Sequence, residues 1–151
     1  MDTLPDMEAY RFVAILNKKI EIGKLMNALG HMAAGLGGGS KKAGLMYFLE
    51  YFDKDGGLHP NISNYPFIVL AADNSSQIRT ARIGAIERGI SFTDFTSSMT
   101  VGSTQEQLDN TANTIETDLE YYGLCMFGAT QELQDITKKF HFSNNTLPNH
   151  E

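Results

Sequence analysis

Short apolar runs alternate with helical patterns along the chain, and this alternation constrains the fold more than any other feature of the sequence. Four runs bounded by polar residues predict buried strands, at residues 12–16, 67–71, 90–95 and 123–128. A segment with helical spacing of its apolar residues follows each run. Strands that alternate with helices indicate a three-layer α/β/α fold, with a mostly parallel, four-stranded central sheet covered on both faces.

The first predicted helix covers residues 23–36. Gly35 and Gly37 are expected to end it, because glycine readily adopts the left-handed conformation of a helix C-terminus. The following "GLGGGS" is then an exit loop. The side chains with the spacing of one core-facing side are Leu25, Met26, Leu29, Met32, Ala33 and Leu36.

The other three helices are predicted from capping residues. The second begins at residues 74–76 and ends at Gly89, and the third begins at the capping box of Ser103 and Glu106. The last is capped by Thr130. Apolar residues at helical spacing extend the third helix through Leu108, Ala112, Ile115 and Leu119.

The whole chain fits a single domain, residues 1–151, with frayed ends at about 1–9 and 143–151. Residues 46–52 fit either a strand or a helical turn, and residues 53–57 have the composition of a turn. We favour a peripheral hairpin for this segment, whose role the sequence does not indicate.

The charge of the chain argues against polyanionic partners. The formal net charge is -6, and non-specific nucleic-acid binding depends on Lys and Arg neutralising phosphates, so strong tRNA binding is not expected. The lone Cys125 cannot form an internal disulfide, and no apolar stretch reaches the roughly 20 residues of a membrane span. We therefore expect a soluble, cytoplasmic protein with no membrane association.

No metal or cofactor motif is present in the sequence. His59, His141 and His150 are isolated, and "DKDGG" lacks the glutamate that closes a calcium loop. Phosphate-binding glycine loops precede a helix, whereas "GLGGGS" follows one. We predict neither a metal ion nor a cofactor.

One polar stripe on the first helix is the principal candidate site. At about 100° per residue, Lys24, Asn27 and His31 fall on one side of the helix. Because Glu21 is a poor N-cap, the first amide groups are expected to be free beside Gly23 and Lys24, as an anion-binding site requires. A stripe that is only the solvated side of an amphipathic helix explains the same pattern, and the two interpretations remain open.

The chain resembles a known family over about residues 11–142. The segments "GKLMNALGHMAAGLG", "YPFIVLAAD", "IRTARIGAIERGI" and "YYGLCMFG" are similar to the DUF2000 family of unknown function. The strand followed by Gly23, Lys24 and His31 also resembles the first motif of the type 2 peptidyl-tRNA hydrolases, whose fold this family is expected to share. This chain has Ala28 where that motif has glutamine, and it lacks the later D-A-G-x-T loop.

The resemblance implies two alternative functions for the stripe. In an ester hydrolase acting on peptidyl-tRNA or a related aminoacyl ester, Lys24 stabilises developing negative charge, His31 orients water or substrate, and Asp94 acts as polar partner or base. In a non-catalytic protein, Gly23, Lys24, Asn27 and His31 bind a small anionic or nucleotide-like ligand. We favour binding, and the sequence leaves open whether the protein forms a homodimer.

Overall fold

The computed structural model describes residues 4–142. Eleven helices and strands make up this part of the chain, apart from short 3₁₀ turns. In chain order they are β1 (Tyr10–Asn17), α1 (Ile22–Gly39), β2 (Phe48–Phe52), β3 (Leu58–Ser63), β4 (Phe67–Ala72), α2 (Ser75–Glu87), β5 (Ser91–Thr96), α3 (Thr104–Ala112), β6 (Tyr121–Ala129), α4 (Thr130–Thr137) and β7 (His141–Phe142).

The central sheet is mixed, so the prediction of a mostly parallel sheet is wrong. Its order is β5-β6-β1-β4-β7, and only β1 and β4 form a parallel pair. The strands β1, β4 and β5 do run in one direction, but β6 lies antiparallel between β5 and β1. The reason is that α3 does not cross back over the sheet, so the chain re-enters beside the end of β5.

The three predicted layers are present. Side chains alternate across each strand, so β1 buries Phe12, Ala14 and Leu16 on the α1 face and Val13 and Ile15 on the opposite face. Helices α2 and α4 cover this second face. Burial on both faces explains why the strands appear in the sequence as continuous apolar runs.

Helix α1 is longer than predicted and continues through the glycine-rich segment to Gly39. Its extension is anchored by Leu36, which is fully packed in the core, while Gly35 lies against Thr93 of β5. Met26, which was assigned to the core-facing side, is exposed instead. Among the described residues, even this long helix is not apolar enough to cross a membrane, and no other helix is.

The two last helices differ from prediction at their ends. Helix α3 stops at Ala112, buries none of its side chains and leaves Leu108 exposed, because it packs on a 3₁₀ turn rather than on the sheet. Thr130 is the first residue of α4 and not its cap, and its hydroxyl donates a hydrogen bond to the carbonyl of Glu8. The predicted start of α2 is confirmed, since the side chain of Asn74 accepts a hydrogen bond from the amide of Gln77.

The predicted peripheral hairpin is confirmed as β2 and β3. Among residues 4–142 these strands pair only with each other, apart from the central sheet. The buried side chains of Met46 and Tyr65 anchor their base to the core. The expected fraying covers residues 1–9 and 143–151. Of these, residues 1–3 and 143–151 lie outside the described residues, and the backbone of Ala9 accepts a hydrogen bond from the amide of Thr130.

Candidate functional site

The turn between β1 and α1 is held by one buried asparagine. The side-chain amide of Asn17 donates to the carbonyl of Tyr121 at 3.0 Å, and its oxygen accepts from the amide of Lys19 at 3.0 Å. Because a buried amide group is costly unless it is paired, these two bonds favour one path for the chain. This path carries the start of α1 over the carboxyl end of β1.

The first turn of α1 has no side-chain cap, as the sequence predicted. Glu21 occupies the N-cap position without a capping hydrogen bond from its side chain, and its carbonyl accepts from the amides of Lys24 and Leu25. The amides of Ile22 and Gly23 lie at the very start of the helix, so no carbonyl of the same helix accepts a hydrogen bond from them. They therefore offer donors at the positive end of the helix.

A pocket of about 680 Å³ opens beside this turn. It brings together all four predicted ligand-binding residues, which the structure places on one wall of the pocket rather than on a convex surface. The lining residues are Glu21, Gly23, Lys24, Asn27, His31, Phe95, Met99, Thr100, Val101, Gln107 and Tyr122.

Aromatic rings form the part of the pocket next to the sheet. The ring of His31 stacks on Phe95 with centroids 5.8 Å apart, and Phe95 contacts Tyr122 at 6.0 Å. A register shift after Phe95 makes Tyr122 an extra residue in β6, which is a β-bulge. The bulge directs Tyr122 into the α1 face of the sheet, where it completes this aromatic surface.

A chain of hydroxyl groups holds the outer wall of the pocket. Ser98, in the 3₁₀ turn after β5, lies 2.7 Å from the hydroxyl of Thr96 and 2.8 Å from that of Thr111 in α3. The hydroxyl of Thr111 also donates to the carbonyl of Gln107. These bonds fix α3, and with it Gln107, against the end of β5.

Asp94 does not join the pocket, although the hydrolase interpretation placed it there. It points to the opposite face of the sheet, where its carboxylate accepts a hydrogen bond from Arg82 of α2 at 2.8 Å. The neighbouring residues Thr93 and Phe95 face α1 instead, as alternation along a strand requires. Asp94 is therefore not available as a partner or base for His31.

Two further arginines, Arg79 and Arg88, also form ion pairs away from the pocket. Arg79 binds the carboxylate of Glu116 at 2.9 Å and lies over the ring of Tyr121. Arg88 pairs with Asp135 at 3.5 Å beside a groove between α2 and α4. These contacts tie helices and turns together, which agrees with a structural role.

Cys125 and the ring of Tyr65 are buried in the core. Desolvation raises the pKa of Cys125 to about 12, so the thiol stays protonated as a core group. Tyr65 packs edge-on against Tyr10 in the core. Within residues 4–142 no group of three or more His, Cys, Asp and Glu side chains is arranged to hold a metal ion.

Sequence reasoning did not identify the individual residues that β5, β6 and the segment leading to α3 contribute to the pocket. In the sequence, Phe95 and Tyr122 occupy positions that are typical of buried strands. Nothing in the sequence marks the bulge that turns Tyr122 toward α1. Met99, Thr100 and Val101 lie in a turn whose path depends on tertiary contacts.

Comparison with known proteins identifies the family and the fold, but no activity. A search among curated proteins finds no match. A solved structure of a protein of unknown function, Atu0240 from Agrobacterium tumefaciens str. C58, is similar with a TM-score of 0.75 and 16% identity, over 89% of this chain and 97% of that chain. The model of the family described as "Protein of unknown function (DUF2000)" matches residues 10–143. The chain therefore belongs to the DUF2000 family.

Proposed function

We propose that the protein binds a small anionic or nucleotide-like ligand at the start of α1. The observation that carries this proposal is the convergence of three features on one pocket: the uncapped amides near Gly23, the ammonium group of Lys24, and the aromatic surface that includes His31. Mere solvation of the helix does not require these groups to share a concave surface.

The pocket favours a ligand with one anionic group and one planar or apolar part. Its volume of about 680 Å³ lies within the range of roughly 300–1,000 Å³ that is usual for small-molecule sites. The anionic group would accept hydrogen bonds from the helix N-terminus and Lys24. The planar part would lie against Phe95 and Tyr122, with the amide of Asn27 available to set its orientation.

Glu21 tunes this site by competing with the ligand. Its carboxylate folds back over Gly23, so a methyl group added there would lie 2.9 Å from a carboxylate oxygen. A carboxylate near a helix N-terminus is stabilised by the same dipole that attracts an anionic ligand. A bound anion must therefore displace or overcome the charge of Glu21.

Ester hydrolysis is the alternative function, and two of the three residues proposed for it line the pocket. Lys24 and His31 line the pocket together, which supports charge stabilisation and orientation of water by these side chains. The one carboxylate among the lining residues is Glu21, so an acid or base other than His31 would have to be this group. The fold relationship to type 2 peptidyl-tRNA hydrolases remains part of this proposal.

Binding is tested first by a thermal-shift screen of nucleotides, aminoacyl esters and small acids. A ligand at 100 times its dissociation constant stabilises the folded protein by about 2.7 kcal/mol, which is a clear shift. The hydrolysis alternative is tested by assaying release of the acyl group from the ester ligands. Loss of that activity in both Lys24→Met and His31→Ala, with the fold retained, would favour catalysis over binding alone.

Calorimetric titration with the ligand found by the screen then tests whether the charges of Lys24 and Glu21 control binding. Lys24→Ala and Lys24→Met should each weaken binding more than tenfold, or about 1.4 kcal/mol, since a hydrogen bond to a charged group contributes about 1.5–3 kcal/mol. Glu21→Gln should tighten binding. The matched control is Lys54→Met in the turn between β2 and β3, which removes an exposed lysine far along the chain. Equal affinity in all four variants would leave the stripe as a solvated helix side.

A further inference from the structure

The hairpin of β2 and β3, here called the arm (residues 48–63), lacks the support that a two-stranded sheet normally needs. An isolated hairpin is marginally stable in water, and a third strand or a covering layer is generally required. Within the described residues the arm pairs with no further strand. Its side chains are exposed along nearly the whole of both strands.

Large apolar side chains cover both faces of the arm. Residues that pair across the strands share a face, so Phe48, Phe52 and Leu58 lie on one side, where they are 45%, 68% and 50% exposed. Tyr51 and Ile62 lie on the other side and are about half exposed. Contiguous apolar surface of this kind marks an interaction site rather than an ordinary solvated surface.

The two outer edges of the arm differ in a way that selects β2 for pairing. Strand β3 contains Pro60, which has no amide to donate, and Asn61, which has a φ of 60° and lies at a bulge in the register. Both features protect an edge against further strands. Strand β2 contains neither proline nor a bulge, and Glu50 is its single charged residue.

We infer that the β2 edges of two copies pair in an antiparallel manner about a twofold axis, giving a homodimer with a continuous four-stranded sheet. Antiparallel pairing of one strand with its own copy satisfies twofold symmetry, because the same patch serves both subunits. The shared sheet supplies each arm with the strands that it lacks alone. It also brings the apolar faces of the two arms side by side.

The arm offers most of the apolar area that a stable dimer buries. With aromatic side chains of about 150–250 Å² each, the exposed parts of Phe48, Tyr51 and Phe52 together offer about 330 Å². Leu58 and Ile62 add to this, each about half exposed. A typical interface buries about 800 Å² per partner, of which about 65% is apolar in homodimers, so the arm supplies most of the area needed.

Sedimentation velocity of the full chain over a range of concentrations tests the inference. The wild type should sediment as a dimer at tens of micromolar, and Phe48→Ser combined with Phe52→Ser should sediment as a monomer. Ile115→Ser is the matched control, because Ile115 is 66% exposed outside the arm, and this variant should remain dimeric. A monomeric wild type at all concentrations, or a monomeric control, would overturn the proposal.

Hydrogen exchange of the wild type provides a test that does not depend on whether a variant folds. The amides of residues 48–52 that face away from β3 should become protected as the protein concentration rises. Protection that does not change with concentration would contradict pairing through β2. Neither experiment involves the pocket at α1, so their outcome is independent of the proposed ligand binding.

Discussion

Replacement of Gly123 by alanine is a direct test of how closely α1 lies on the sheet. Gly123 is in β6 directly under α1, and a methyl group there would lie 2.7 Å from Met32 Cε, 3.0 Å from Leu16 Cδ2 and 3.1 Å from the carbonyl oxygen of Ile15. Ordinary van der Waals contact between heavy atoms begins at about 3.5 Å, so all three neighbouring atoms must move. The flexible methionine side chain can move easily. The carbonyl of Ile15 cannot, because it is part of β1 at the centre of the sheet.

The size of the effect follows from two opposing terms. Overpacking of a core costs about 1–3 kcal/mol of unfolding free energy. Alanine also recovers about 0.5–1 kcal/mol, because glycine loses more backbone freedom in a strand. Gly123→Ala should therefore destabilise the protein by about 0–2.5 kcal/mol, as the difference between these two ranges.

The same substitution at Gly30 is the control. Nothing lies within 4 Å of a methyl group at Gly30 in α1, and alanine is favoured over glycine in a helix by about 0.8–1 kcal/mol, so Gly30→Ala should stabilise. The two variants should thus differ by about 2 kcal/mol in urea denaturation, or about 4–8 °C in Tm. If Gly123→Ala were as stable as Gly30→Ala, the close approach of α1 to β6 would be refuted.

Three further variants probe the polar groups around the sheet. Asn17→Leu should lower the unfolding free energy by about 1–3 kcal/mol in urea denaturation, because it leaves the carbonyl of Tyr121 without its side-chain donor; an unchanged midpoint would contradict this. Asp94→Asn should destabilise the fold because it weakens the ion pair with Arg82, and the ligand affinity measured by calorimetry should not change. A loss of affinity would show that Asp94 contributes to the site after all. Burial raises the pKa of Tyr121 to about 12, so the folded state retains this proton more tightly than the unfolded state. Its contribution is fully present below pH 10 and is lost as the pH rises from about 10 to 12. Tyr121→Phe should show a smaller loss of stability than the wild type over that range, and equal losses would refute the assignment.

Local patterns in the sequence were enough to predict most elements and the residues of α1 that line the pocket. A strand buried on both faces must be apolar throughout, so β1, β4 and β6 were visible as short runs without any knowledge of their partners. The stripe of Lys24 and His31 followed from helical periodicity alone. The lack of a cap at the start of α1 was also a local property.

Only the tertiary structure decided the strand order and the composition of the pocket. The insertion of β6 between β5 and β1 depends on pairing between residues distant in sequence, and no local pattern encodes it. A single bulge moved Tyr122 into the pocket, while alternation along β5 placed Asp94 on the opposite face of the sheet from His31. The face of a strand residue changes with each step along the chain, so one residue of register decides whether a side chain reaches the site.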